Sequence, residues 1–154
     1  MIDLREYITP HTGIAETIIQ YYNLYTPEDV FNWIQNTFNI APEEGDTWYR
    51  FEEMITQYNK NADTPYDCED LAIAIVSLLR TLNLPATVMV VYNPDFAENH
   101  AFVLLYQNDG SVFPIDATIP DGFGKMRGTM EYKIVEWNEE ILRIFDQDAY
   151  VNLL

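Results

Sequence analysis

The chain has 154 residues, enough for one compact domain over 1–154 that buries its own core. Hydrophobic residues make up 48% and aromatics 14%, which excludes a disordered linker, and a formal charge of −17 disfavours nucleic acid and anionic membrane surfaces as partners. One cysteine and two histidines exclude an internal disulfide and a zinc-finger ligand set.

In chain order, the opening MIDLREYITP carries acids and no apolar leader core, and no later run is long enough to span a bilayer, so a cytoplasmic location is expected. Residues 13–24 read as a first helix. Thr26-Pro27-Glu28-Asp29 then starts a second, with Thr as N-cap, Pro at the first helical position and Asp29 placed to close a capping box. Val30, Phe31, Ile34 and Phe38 follow at helical spacing. A third helix is expected over 47–59, with Trp48, Phe51, Ile55 and Tyr58 on one side, and then a polar loop to Pro65.

Asp67-Cys68-Glu69-Asp70 precedes LAIAIVSLLRTLNL, which is apolar nearly all round and predicts a central, buried helix. Acids at its start suit the positive end of the helix dipole. Beyond Pro85 the pattern changes to strands at 86–92, 100–106 and 111–117, with Asn108-Asp109-Gly110 as a hairpin signal and a further strand at 132–137; residues 139–145 suit a short helix. Helices first and antiparallel strands after them make an α+β layout, with a central cysteine-bearing helix packed on the sheet.

Three residues carry the chemistry. Cys68 falls in the first turn of the central helix, where the dipole favours a thiolate, although Asp67, Glu69 and Asp70 push the other way. Read alone it better suits a small buried side chain, and the flanking acids count against that reading by placing the thiol near a polar surface. His100 opens the second strand after a polar loop. Asp116 lies inside an apolar strand and needs a partner, for which an imidazole on the neighbouring strand is suited. A two-residue turn at Asp109-Gly110 would leave His100 and Asp116 out of register by about 10 Å along the strand, and a longer loop or a bulge would bring them opposite. Nucleophile, base and orienting carboxylate together fit the logic of a catalytic triad.

Three strings then point to a family. Asp67-Cys68-Glu69-Asp70-Leu71-Ala72, Asn99-His100-Ala101-Phe102-Val103 and Pro114-Ile115-Asp116-Ala117-Thr118 resemble, in order, the cysteine, histidine and aspartate motifs of the transglutaminase-like superfamily, over roughly residues 48–118. Among its members the bacterial transglutaminase-like cysteine proteinases look nearest, and Trp48, Glu52 and Glu53 resemble their upstream Trp and acidic pair. The resemblance implies a papain-like, transglutaminase-core fold. It further implies a cysteine peptidase or amidase acting through Cys68, His100 and Asp116 on a protein or peptide substrate, with no cofactor required. It also implies calcium as a metal held by Asp67 and Glu69, for which helix capping is the competing reading. Tyr66 departs from the family's usual Gly and is expected to narrow the approach to the thiol. The same motifs would serve an inactive binding module, or a protein-crosslinking transglutaminase. Gln57, Asn59 and Asn61, with the Cys68 backbone N–H, are the candidate oxyanion donors. His11 sits in a turn context and is expected to be exposed.

Overall fold

The structure, a computed structural model, describes residues 6–41, 49–60, 63–93, 98–125 and 133–136. Helix α1 (Gly13–Tyr22) is capped by Thr12, whose hydroxyl accepts the Ala15 N–H at 3.1 Å, and it ends where Asn23 turns left-handed with φ 55°. Helix α2 (Pro27–Thr37) starts with the expected capping box. The Thr26 hydroxyl accepts from the Asp29 N–H and the Asp29 carboxylate accepts from the Thr26 N–H, both at 3.1 Å. Helix α3 (Phe51–Asn59) begins later than its periodicity suggests, because Arg50 takes the N-cap and its N–H is satisfied by the Glu53 carboxylate at 3.2 Å. Phe51, Met54 and Ile55 face inward, whereas Tyr58, expected on the same side, is 39% exposed. Trp48, Asn61 and the expected helix at 139–145 lie outside the described residues.

Helix α4 (Cys68–Thr81) is the centre of the molecule. From Glu69 to Leu79 every side chain is buried, so no polar stripe could face water. Each fully buried Leu or Ile there contributes about 1.5–3 kcal/mol relative to exposure. Its two interior hydroxyls bond back to the helix, Ser77 Oγ to the Ile73 carbonyl at 2.8 Å and Thr81 Oγ1 to the Ser77 carbonyl at 2.7 Å. The same hydroxyls accept the Thr9 and His11 N–H groups at 3.1 and 3.0 Å, which straps the segment before α1 across α4. His11 itself is exposed. Asn83, left-handed at φ 60°, and Pro85 end the helix region and turn the chain into the sheet.

That sheet is four-stranded and antiparallel, in the order β5 (Val112–Ile115), β4 (Glu98–Tyr106), β3 (Ala86–Asn93), β6 (Lys133–Glu136). A second, two-stranded parallel sheet joins β1 (Asn39–Ile40) to β2 (Pro65–Tyr66). Helices α1, α2 and α3 and strands β3 and β4 all pack against α4. The architecture is therefore α+β, with the cysteine-bearing helix central as its composition requires. No helix among the described residues is long and apolar enough to cross a membrane.

Candidate active site

Strand pairing decides whether His100 and Asp116 can meet. The β4–β5 hairpin sets Val103 opposite Ile115 and Tyr106 opposite Val112, with a loop from Gln107 to Ser111. Gly110 adopts φ 86°, Gln107 and Ser111 bond across the loop at 2.9 Å, and the Asp109 carboxylate accepts the Ser111 N–H at 2.9 Å. The tight two-residue turn is thus replaced by a loop that moves the register by one residue. A shift of one residue reverses which faces are shared, so this register sets His100 and Asp116 on one face as diagonal neighbours. The His100 Nε2 lies 2.7 Å from Asp116 Oδ2, and both residues are only 1% exposed. A carboxylate only accepts, so Nε2 carries the proton, and base chemistry by the neutral ring runs through Nδ1. The ring also stacks over Phe102, with centroids 6.1 Å apart.

Asp116 is held from several directions. Its Oδ1 accepts from the Thr118 N–H at 3.0 Å and from the Thr118 hydroxyl at 2.6 Å, a side-chain-closed turn. Its own N–H donates to the Gly122 carbonyl at 2.8 Å. Gly122 is required there because a Cβ would sit 1.7 Å from the Asp116 carbonyl oxygen. From α2, the Gln35 amide donates to the Ala117 and Ile119 carbonyls at 3.1 and 2.6 Å, which pins the loop to the helical layer. Reading the sequence missed Gln35 and Gly122. Thr118 had a signal in the Asp-x-Thr spacing and Gly122 in the Asp-Gly turn, but nothing local marks Gln35.

Cys68 is the first residue of α4, with Asp67 as N-cap. Asp70 is fully buried and acts as structural cement, accepting the Tyr49 N–H at 3.1 Å and the Asp67 N–H at 3.4 Å. The backbone of Ala101, the residue after His100 on β4, acts on the thiol and favours its charged form, so the start of α4 lies near β4 there. Ala101, Val103 and Leu105 pack in the hydrophobic cluster that includes α4. The thiol donates to Glu69 Oε2 at 3.2 Å. Burial pushes the Cys68 thiol up, the Glu69 and Asp67 charges add to this, and the Ala101 N–H opposes it. Burial and the neighbouring Asp67 carboxylate likewise hold Glu69 up, to about 8, so the neutral acid is favoured at pH 7.

Tyr66 does not spend its contacts on the thiol. Its ring packs edge-on against Phe38 and Tyr49, and its hydroxyl donates to Gln57 Oε1. That bond occupies the Gln57 carbonyl oxygen, while Asn59 is exposed at the end of α3. Asp67, Cys68 and Glu69 converge, with one donor atom each inside a 4.8 Å set. This donor set does not fit calcium, which takes six to eight oxygens: only two carboxylates stand here among the described residues, beside a sulfur, and one of them favours the neutral acid. No step below runs through calcium.

No protein-family model and no curated protein matches the chain. Among solved structures, the crystal structure of a candidate cysteine protease from Cytophaga hutchinsonii is similar, at 18% identity and a TM-score of 0.55 over 81% of this chain. The match covers 47% of that protein, so this chain spans about half its length. At that identity the likeness carries the fold alone, and the fold is the α+β type found in this cysteine-protease neighbour.

Proposed function

We propose that the chain is a cysteine hydrolase of peptide or amide bonds, in which Cys68 is the nucleophile, His100 the base and Asp116 its orienter. The observation that carries this reading is the buried His100–Asp116 hydrogen bond at 2.7 Å, on the strand that packs against the cysteine-bearing helix. An imidazole so fixed has one tautomer and one orientation, which is what an orienting carboxylate supplies.

In the forward direction His100 Nδ1 takes the proton of the Cys68 thiol, which leaves its Glu69 contact. The sulfur then attacks the carbonyl carbon of the substrate amide. The Cys68 backbone N–H, at the start of α4, is oriented by the helix to stabilise the resulting oxyanion. The imidazole next returns its proton to the leaving nitrogen, the C–N bond breaks, and a thioester remains on Cys68. Water, deprotonated by Nδ1, attacks that thioester. The acid leaves and the proton returns to sulfur. Replacement of water by an amine would make the same site a transglutaminase.

One observation favours a second reading, a binding module that keeps the fold without turnover. The thiol is pushed up rather than down, and its hydrogen bond goes to Glu69. Fluorogenic peptide amides separate the two. Release of the amine by the wild type that is abolished in Cys68→Ala supports the hydrolase. Release that survives in Cys68→Ala contradicts it, and a folded wild type with no release on any peptide in a broad library leaves the binding module.

A further inference from the structure

The small β1–β2 sheet has no part in the chemistry above, yet it borders a cavity of about 390 Å³ between the end of α2 and the chain entering β2. That volume falls in the range of small-ligand pockets. Phe38, Tyr58 and Tyr66 line it, with Phe38 and Tyr66 buried and Tyr58 39% exposed, and Phe38 is edge-on to both tyrosines at centroid distances of 6.1 and 5.4 Å. Thr37 and Thr64 add hydroxyls. Among the described residues Asp63 is the one charged residue in the lining, and it is exposed.

This chemistry selects its ligand. An anion would meet aromatic faces and a carboxylate, in a chain whose formal charge is already −17. A purely apolar group would draw no attraction from Asp63. A planar cation satisfies both features, since guanidinium stacks on aromatic rings through cation–π attraction and its N–H fork matches a carboxylate. We propose that the pocket binds the arginine side chain of a peptide segment, held between the Tyr58 ring and Asp63. Binding of this kind stands on the pocket alone.

The test is an NMR titration of the full chain with N-acetyl-Gly-Arg-Gly-amide, and with its citrulline counterpart, which keeps the shape of arginine and removes the charge. The arginine peptide should bind about tenfold more tightly, perturb Phe38 and Tyr58, and weaken as salt is raised. Asp63→Asn should remove most of that preference and leave citrulline binding unchanged. Tyr58→Leu should weaken arginine binding while the protein stays folded, since both positions are exposed. Equal binding of the two peptides, no binding of either, shifts that map elsewhere, or an arginine preference that survives Asp63→Asn each overturn the proposal. Selective binding without any peptide cleavage upholds the pocket and counts against the hydrolase reading alone.

Discussion

Asp116 Oδ2 stands 2.7 Å from His100 Nε2 although the two residues are not directly opposed in the β4–β5 ladder. The diagonal relationship depends on the loop from Gln107 to Ser111, which sets both side chains on one face. It also needs Asp116 held just past the end of β5, where Thr118 and Gly122 grip it. The His100–Asp116 contact is therefore a product of loop geometry as much as of strand pairing.

Asp116→Asn should leave the fold intact and lower kcat by about 10²–10⁴-fold, because an amide no longer fixes the tautomer with Nδ1 ready to accept. Asp116→Ala removes one partner of a buried pair and should cost about 3–5 kcal/mol of stability. Peptide-amide kinetics and denaturant titration check the two effects separately. An Asn variant with wild-type kcat would show that Asp116 only packs.

Gly122→Ala tests the grip on Asp116 from outside the triad. A Cβ placed 1.7 Å from the Asp116 carbonyl oxygen forces backbone to move, since no flexible side chain can yield there. The expected loss is about 3 kcal/mol, accompanied by reduced turnover. Thermal melts measure it, and an unchanged Tm would contradict the close approach.

Glu69 gives a pH signature. Its folded-state pKa is raised from 4.5 to about 8, chiefly by burial. A carboxyl raised in this way contributes stability that is fully present below its unfolded value and is lost as pH rises through the folded value. Between about pH 4.5 and 8 the wild type should therefore lose stability relative to Glu69→Gln, which keeps the shape of the neutral acid. The same substitution removes a negative charge beside the sulfur and should lower the pKa of Cys68. Paired melts across pH and thiol titration read both. Parallel Tm curves for the two proteins would show that Glu69 does not take up a proton on folding.

Calcium offers a direct check on the donor set at Asp67 and Glu69. Two carboxylates and a thiol fall well short of a calcium shell, so millimolar calcium should leave Tm unchanged and chelation should not reduce activity. A calcium-dependent rise in Tm that is lost in Asp67→Asn would contradict this.

Much of this arrangement was legible in the sequence where the governing physics is local. Thr26-Pro27 and Asp29 predict the start of α2 because capping acts within one turn. The apolar run after Asp70 predicts a central helix because nothing in it tolerates water. The pairing of His100 with Asp116 was legible as a need of a buried carboxylate, but its register was not. Whether Asn108-Asp109-Gly110 closes a tight turn or a longer loop depends on the Gln107–Ser111 hydrogen bond, which no residue type announces. Gln35 reaches the Asp116 loop across 82 and 84 positions of chain, and the β1–β2 pair has two residues a side and no periodicity to detect. Tyr66 read as an obstruction because it stands beside the Asp-Cys pair, whereas its ring and hydroxyl are taken by Phe38, Tyr49 and Gln57.

The central claim is that His100 acts on the Cys68 thiol. It is tested most directly by the rate of iodoacetamide alkylation of Cys68 against pH, in the wild type and in His100→Ala. Because the sulfur is buried beside Glu69 and Asp67, the thiol alone should react only above the ordinary thiol range of about 8.5. The account predicts that the wild type reacts at pH 7 at least about tenfold faster than His100→Ala, whose alkylation rises only in alkali. Superimposable profiles for the two proteins would contradict it and leave Cys68 a buried thiol in a binding domain.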